Sequence, residues 1–141
     1  MNIHTIYIKI EFKMNQKIFK SIWAIIAGFL TIFILSTAVD LILHQTGIYP
    51  PMGVIMSDEL FALATAYRVL FGILSGYVTA KIAPDQPVKH SLALGVLGLI
   101  VSITGAIVMW DAGPAWYSLA IIAIALPCSW AGGILYERSQ T

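Results

Sequence analysis

Between Pro51 and Pro84 the chain carries an unbroken apolar segment, Leu60–Ala83, which reads LFALATAYRVLFGILSGYVTAKIA. The body of this segment holds a single charge, Arg68. About 20 helical residues suffice to cross the hydrocarbon core of a bilayer, so the segment is long enough to span one. Its apolar positions run continuously rather than alternating, which favours a helix over a strand of a membrane barrel. A helix also satisfies every backbone N–H and C=O within the segment, as hydrocarbon demands.

Three further segments meet the same criterion. They run from about Ile22 to Leu43, from about Ser91 to Met109 and from about Ala115 to Tyr136. Gly47, Pro50, Pro51 and Gly53 interrupt the chain before the Leu60–Ala83 span, and Pro84 and Pro87 follow it. The short turn Asp111-Ala112-Gly113-Pro114 makes the last two spans antiparallel neighbours. Ser57 fits an N-cap, with Asp58 and Glu59 in the first turn that follows. Pro127 removes a hydrogen bond from the fourth span and should kink it near Ala123–Leu126. The expected fold is an all-α, antiparallel four-helix bundle in a membrane.

Composition points the same way. Of 141 residues, 59% are hydrophobic and 11% charged, and mean hydropathy is +0.86. A soluble domain carries about 25% charged residues, so a water-soluble enzyme is excluded, and so is a disordered chain. A net charge of +1 leaves no basic face for nucleic acid. The single cysteine, Cys128, allows no internal disulfide and reads as an inert packing residue.

Charge placement sets an expected orientation. Lys9, Lys13, Lys17 and Lys20 precede the first span, Lys81 and Lys89 flank the second connection, and Arg138 follows the last span. The first and third connections carry Asp58, Glu59 and Asp111 instead. By the positive-inside rule both termini are cytoplasmic. Trp23 and Tyr136 then fall at the inner interface, and Tyr49, Trp110 and Trp116 at the outer one. Residues 1–20 form a cytoplasmic tail, 21–136 the four-span domain and 137–141 a second tail. Within the first tail, Ile6, Ile8, Ile10 and Phe12 alternate with Tyr7, Lys9, Glu11 and Lys13. This is strand periodicity without a partner strand, and it predicts a flexible or non-native extension ahead of Met14, a more natural start. Ser36-Thr37-Ala38 has the small residues of a signal-peptide cleavage site. The apolar run continues to Leu43, which favours an uncleaved span.

Each span carries small residues four apart: Ala24 and Gly28, then Gly72, Gly76 and Ala80, then Gly98, Ser102 and Ala106, then Ala125, Ser129 and Gly133. Such rows let helix backbones approach closely, within one bundle or between two copies. Asp40 and Arg68 are the two charges placed inside spans, both in the outer half. A charge at that depth costs a few kcal/mol unless paired. Arg68, about 12 Å below the start of its span, is expected to reach outward to Asp40, with His44 one turn beyond and Glu59 at similar height. The group reads either as a structural pair fastening the first two spans or as an ion, proton or anion site. A metal held by Asp40, His44 and Glu59 is a weaker alternative. No phosphate loop, HExxH or GxSxG is present, so no cofactor and no catalytic residue is assigned. Expected partners are the lipid bilayer and either a second copy or another membrane protein, with no nucleic acid.

The blocks Asp40-Leu-Ile-Leu-His44, Gly47-Ile-Tyr-Pro-Pro51, Phe61-Ala-Leu-Ala-Thr-Ala-Tyr-Arg68, Gly76-Tyr-Val-Thr-Ala-Lys-Ile-Ala-Pro84, His90-Ser-Leu-Ala-Leu-Gly95 and Leu126-Pro-Cys-Ser-Trp-Ala-Gly-Gly133 resemble a group of small four-span bacterial membrane proteins of unknown function. The resemblance covers Ser21 to about Tyr136. It implies a bacterial cytoplasmic membrane and supplies no activity. Two other small four-span families fit less well. The small multidrug transporters use a glutamate deep in the first helix, where this chain has none. The membrane glutathione-transferase-like proteins have charged motifs in the second helix that Leu60–Ala83 lacks. The leading expectation is a non-enzymatic accessory or interaction protein. A small oligomeric transporter with an outer Asp40/Arg68 site comes second and an outer-leaflet enzyme third.

Overall fold

The computed structural model describes residues 2–141. Four helices follow one another: α1 (Ile3–Gln45), α2 (Asp58–Ile82), α3 (Pro87–Val108) and α4 (Ala115–Ser139), with a single 3-10 turn at Trp110–Ala112 between the last two. All four are long and apolar enough to cross a membrane. α2 is the central element, packed against α1, α3 and α4, while α3 and α4 pack closely on each other. α1 packs on α2 and more lightly on α3, with Gly28 against Leu94 and Ser21 against His90.

α1 departs from the expected boundary. The alternating residues 3–13 are helical, and the helix runs unbroken through Gln45. Once the apolar span has formed the helical nucleus, each added residue gains a hydrogen bond for the ordering of one residue. A strand there would have no neighbour. At 1.5 Å per residue α1 is about 65 Å long, roughly twice the ~30 Å hydrocarbon core. Lys9, Lys13, Lys17 and Lys20 recur at spacings of four and three, so they share one side of the projecting part. Lys17 pairs with Asp85 on the α2–α3 connection, and His90 Nε2 lies 2.8 Å from Ser21 Oγ. His90 is thereby tied to α1 rather than standing alone at an interface. Both partners of the Lys17–Asp85 pair are partly exposed, so Lys17→Ala is expected to cost no more than ~1 kcal/mol, read as a small shift in thermal unfolding.

The helices are locked at one end by a seam without large side chains. A Cβ on Gly76 would overlap the Ser129 carbonyl oxygen and lie 2.9 Å from its Cα. One on Gly132 would overlap the Ile73 carbonyl and lie 2.6 Å from the Tyr77 amide nitrogen. Gly133 abuts Ser91 Oγ, and Gly28 faces Thr79, Leu94 and the Ser75 carbonyl. Ala80 and Thr79 are fully or almost fully buried. Two serines stitch the seam. Ser91 Oγ donates to the Gly76 carbonyl at 2.7 Å, and Ser129 Oγ donates to the Ser91 carbonyl at 2.6 Å. Of the small residues expected to pack helices, Gly72, Gly76, Ala80 and Gly133 lie in tight contacts. Gly98 and Ser102 do not. On α3 the packed residues are Ser91, Leu94 and Gly95, and the same stripe continued through Gly98 and Ser102 faces open space. The helices diverge there, so small side chains leave a gap rather than a contact.

α4 stays helical through Pro127. Ser57 holds the N-cap position of α2, yet its side chain makes no capping bond. The start of α2 is held instead by Trp116, whose indole Nε1 donates to Asp58 Oδ1 at 3.0 Å. The apolar α1–α2 connection folds partly inward. Tyr49 is buried, and its amide donates to the Leu43 carbonyl at 2.9 Å. Ile48, Met52, Val54 and Ile55 remain exposed.

Candidate functional site

At the end of the bundle opposite the seam, α1 and α2 bring Asp40 and Arg68 together. Arg68 Nη2 donates to Asp40 Oδ2 at 2.7 Å. The guanidinium does more than pair. Its Nη1 donates to the Tyr67 hydroxyl at 3.0 Å and to the Ala64 carbonyl at 3.3 Å. Tyr67 in turn donates its only hydroxyl hydrogen to Asp40 Oδ1. Tyr49 Oη lies 3.2 Å from Tyr67 Oη. With the Tyr67 hydrogen committed, the single Tyr49 hydroxyl hydrogen goes to Tyr67 or to the Leu60 carbonyl, 3.5 Å away. Asp40 thus accepts one bond on each oxygen, and the two tyrosines and the arginine close a network across α1, α2 and their connection.

Aromatic faces complete the surroundings of Arg68. Its guanidinium carbon stands 5.1 Å from the Tyr67 ring centre and 6.0 Å from that of Tyr117 on α4. A cation over such rings is attracted by their negative faces, more strongly where water is scarce. Tyr49, Ala64 and Tyr67 form a small core against which Val39, Leu43, Leu60, Phe71 and Tyr117 pack. The polar network therefore sits in an apolar shell that fixes its geometry.

His44 and Glu59 part company. His44 Nδ1 donates to the Asp40 carbonyl oxygen at 2.8 Å, which leaves Nε2 facing away from it. The His44 ring meets Tyr49 edge to face, 5.2 Å between centres. His44 is one turn from the ion pair but touches the backbone of Asp40, not its carboxylate. Glu59 stands exposed at the start of α2 with no hydrogen bond or ion pair to the group. Among the described residues no three His, Cys, Asp or Glu side chains gather closely enough to hold a metal.

Two cavities adjoin the network. One, of about 330 Å³, runs from Asp40 and Arg68 down to Ser75, Leu94 and Ser129. The other, of about 750 Å³, lies beyond Arg68 toward His44, Met56, Asp111 and Tyr117. Arg68, Val101, Ser102 and Ile121 border both. Ser36 Oγ is buried against the first cavity and has no hydrogen-bond partner. The chemistry on offer is hydrogen bonding and charge neutralisation. Asp40, Arg68, Tyr67 and Tyr49 are each engaged within the network.

Charge counting along the sequence finds Asp40 and Arg68 but passes over Tyr49, Tyr67 and Tyr117. The available signal is Tyr67 itself, a hydroxyl in the body of an apolar span beside the arginine, since a buried tyrosine seeks a partner for its hydroxyl. Tyr49 carries no such signal, because only the fold of the connection brings it inside. Comparison with family models, with curated proteins and with solved structures finds no match for the chain.

Proposed function

We propose that this chain is a non-enzymatic accessory or interaction protein of the bacterial cytoplasmic membrane, a multi-pass bundle with both termini on the cytoplasmic side. The orientation rests on the seven basic residues outside the spans, all on one side, and on the acidic residues of the opposite connections. The bacterial setting rests on the resemblance to small four-span bacterial proteins. Its partners on this reading are the bilayer and another membrane protein or a second copy, with no nucleic acid.

One observation carries the reading: the cavities end at a seam where backbone meets backbone. A transporter needs a path that continues past Arg68 toward Lys81, and the Gly76–Ser129, Gly132–Ile73 and Gly133–Ser91 contacts stand across it. An enzyme needs an acid, base or nucleophile free to meet a substrate, whereas Asp40, Tyr67 and Tyr49 are bound to one another and to Arg68. The small oligomeric transporter remains the second reading, because Asp40 and Arg68 border an accessible cavity.

Cysteine accessibility tests the choice. In a Cys128→Ala background, single cysteines at Ser57 and Asp111, both exposed at the Asp40 end, should react with a small maleimide added to the Asp40 side. Cysteines at Thr79 and Ala80 should resist it from either side. Reaction at Thr79 and Ala80 would establish a continuous path and overturn the accessory reading in favour of transport.

A further inference from the structure

The two cavities form one trough with unlike halves. Below Arg68 the walls are mostly apolar, with Phe33, Val101, Ile124 and Ala125, and the hydroxyls of Ser36, Thr37 and Ser102 stand among them. This half follows α2 from Arg68 to Ser75, about 10 Å at the helical rise, and its floor is the serine–glycine seam. Beyond Arg68 the trough widens and gains His44, Asp111 and Tyr117. Arg68 stands at the junction. Three of its five N–H hydrogens are used, by Asp40, Tyr67 and Ala64, so two remain for an outside acceptor.

We propose that the trough holds one acyl chain of a membrane lipid, with an ester or phosphate oxygen of that lipid accepting from Arg68. Several features converge on this occupant. An apolar cavity is not a stable place for water, which needs two to four polar partners. Apolar side chains along such a wall gain dispersion contacts from a neighbour of like chemistry. A lipid chain supplies those contacts, and the surrounding bilayer supplies the chain. The head must bring acceptors, because donors are what Arg68 has to spare. A lipid site goes beyond the accessory reading and stands or falls apart from it, since neither a partner nor a transport path enters the argument.

The test uses the full chain in vesicles of phosphatidylcholine and phosphatidylglycerol with a trace of phosphatidylcholine bearing a diazirine in mid-chain. After irradiation, crosslinks should map to Ile124 and Cys128 inside the trough as well as to Ile100 and Ile107 on the exposed face of α3. Gly98→Phe should plug the trough without disturbing the fold, because a Cβ at Gly98 meets only Ala125 Cβ, at 3.8 Å. In that variant, labelling of Ile124 and Cys128 should fall about tenfold, equivalent to ~1.4 kcal/mol, while Ile100 and Ile107 label as before. Millimolar inorganic phosphate should leave the trough labelling unchanged. Trough labelling that is absent from the wild type, or persists in Gly98→Phe, would overturn the proposal. Displacement by inorganic phosphate would overturn it too, by showing a headgroup site with no chain.

Discussion

Asp40→Asn is expected to destabilise the bundle by about 3–5 kcal/mol, the cost of leaving one member of a buried ion pair without its counter-charge. Arg68 keeps 23% of its side chain exposed and Asp40 31%, but the open part faces a trough with apolar walls, so water gives little compensation. Arg68→Gln should cost a comparable amount by stranding the carboxylate. The double variant Asp40→Asn/Arg68→Gln is the informative one. Two neutral amides can bond to each other and to the Tyr67 hydroxyl, and the double change should cost less than the sum of the singles by roughly 1–3 kcal/mol. SDS titration in mixed micelles measures all three. Strict additivity would mean that the charges act independently, and the bridge between α1 and α2 would lose its structural meaning. Tyr67→Phe gives a milder companion result, on the order of 1–2 kcal/mol, because both the Asp40 carboxylate and an Arg68 hydrogen lose a partner.

Gly132→Val should be at least as damaging. Its Cβ would fall on the Ile73 carbonyl and the Tyr77 amide, both backbone atoms that cannot rotate away. Overpacking a core costs typically 1–3 kcal/mol where side chains can yield. Here α2 and α4 would have to separate, straining the Ser91–Gly76 and Ser129–Ser91 bonds by which α3 bridges the two. The expected result is loss of the monodisperse peak on size-exclusion chromatography, with Gly76→Val behaving alike. Gly105→Ala is the control. Nothing stands within 4 Å of a Cβ there, and alanine is the better helix former by about 1 kcal/mol, so that variant should be as stable as the wild type or more so. Equal tolerance at Gly132 and Gly105 would show that close backbone approach does not hold this bundle.

Much of this architecture is legible in the sequence because the bilayer simplifies the problem. Length and hydropathy alone locate four helices, and proline and glycine locate the breaks between them. The Asp40–Arg68 contact is legible for a similar reason. Two charges at matching depth in hydrocarbon have few other places to go. The tyrosines are less so, since Tyr49 reaches the network only after the connection folds back onto Leu43. The α3 stripe Ser91, Gly95, Gly98 and Ser102 shows another limit. Its spacing is regular throughout, yet its first half packs and its second half lines a void. Spacing records which residues share a face, not how far away the next helix stands. The start of α1 misleads because period-two alternation normally marks a strand, and here the adjoining span imposes its own conformation.

The length of α1 has a mechanical consequence. It packs tightly on the other helices at Gly28, against Thr79, Leu94 and Ser75. That point divides the rod unequally, with Asp40 about 18 Å away on one side and Ile3 about 37 Å away on the other. With Gly28 as fulcrum, each ångström by which Asp40 swings aside displaces Ile3 by about 2 Å in the opposite direction. Lys17–Asp85 and Ser21–His90 sit on the long arm and would have to give for such a swing. A small change in the width of the trough is thereby returned, doubled and inverted, at the far tip of the same helix.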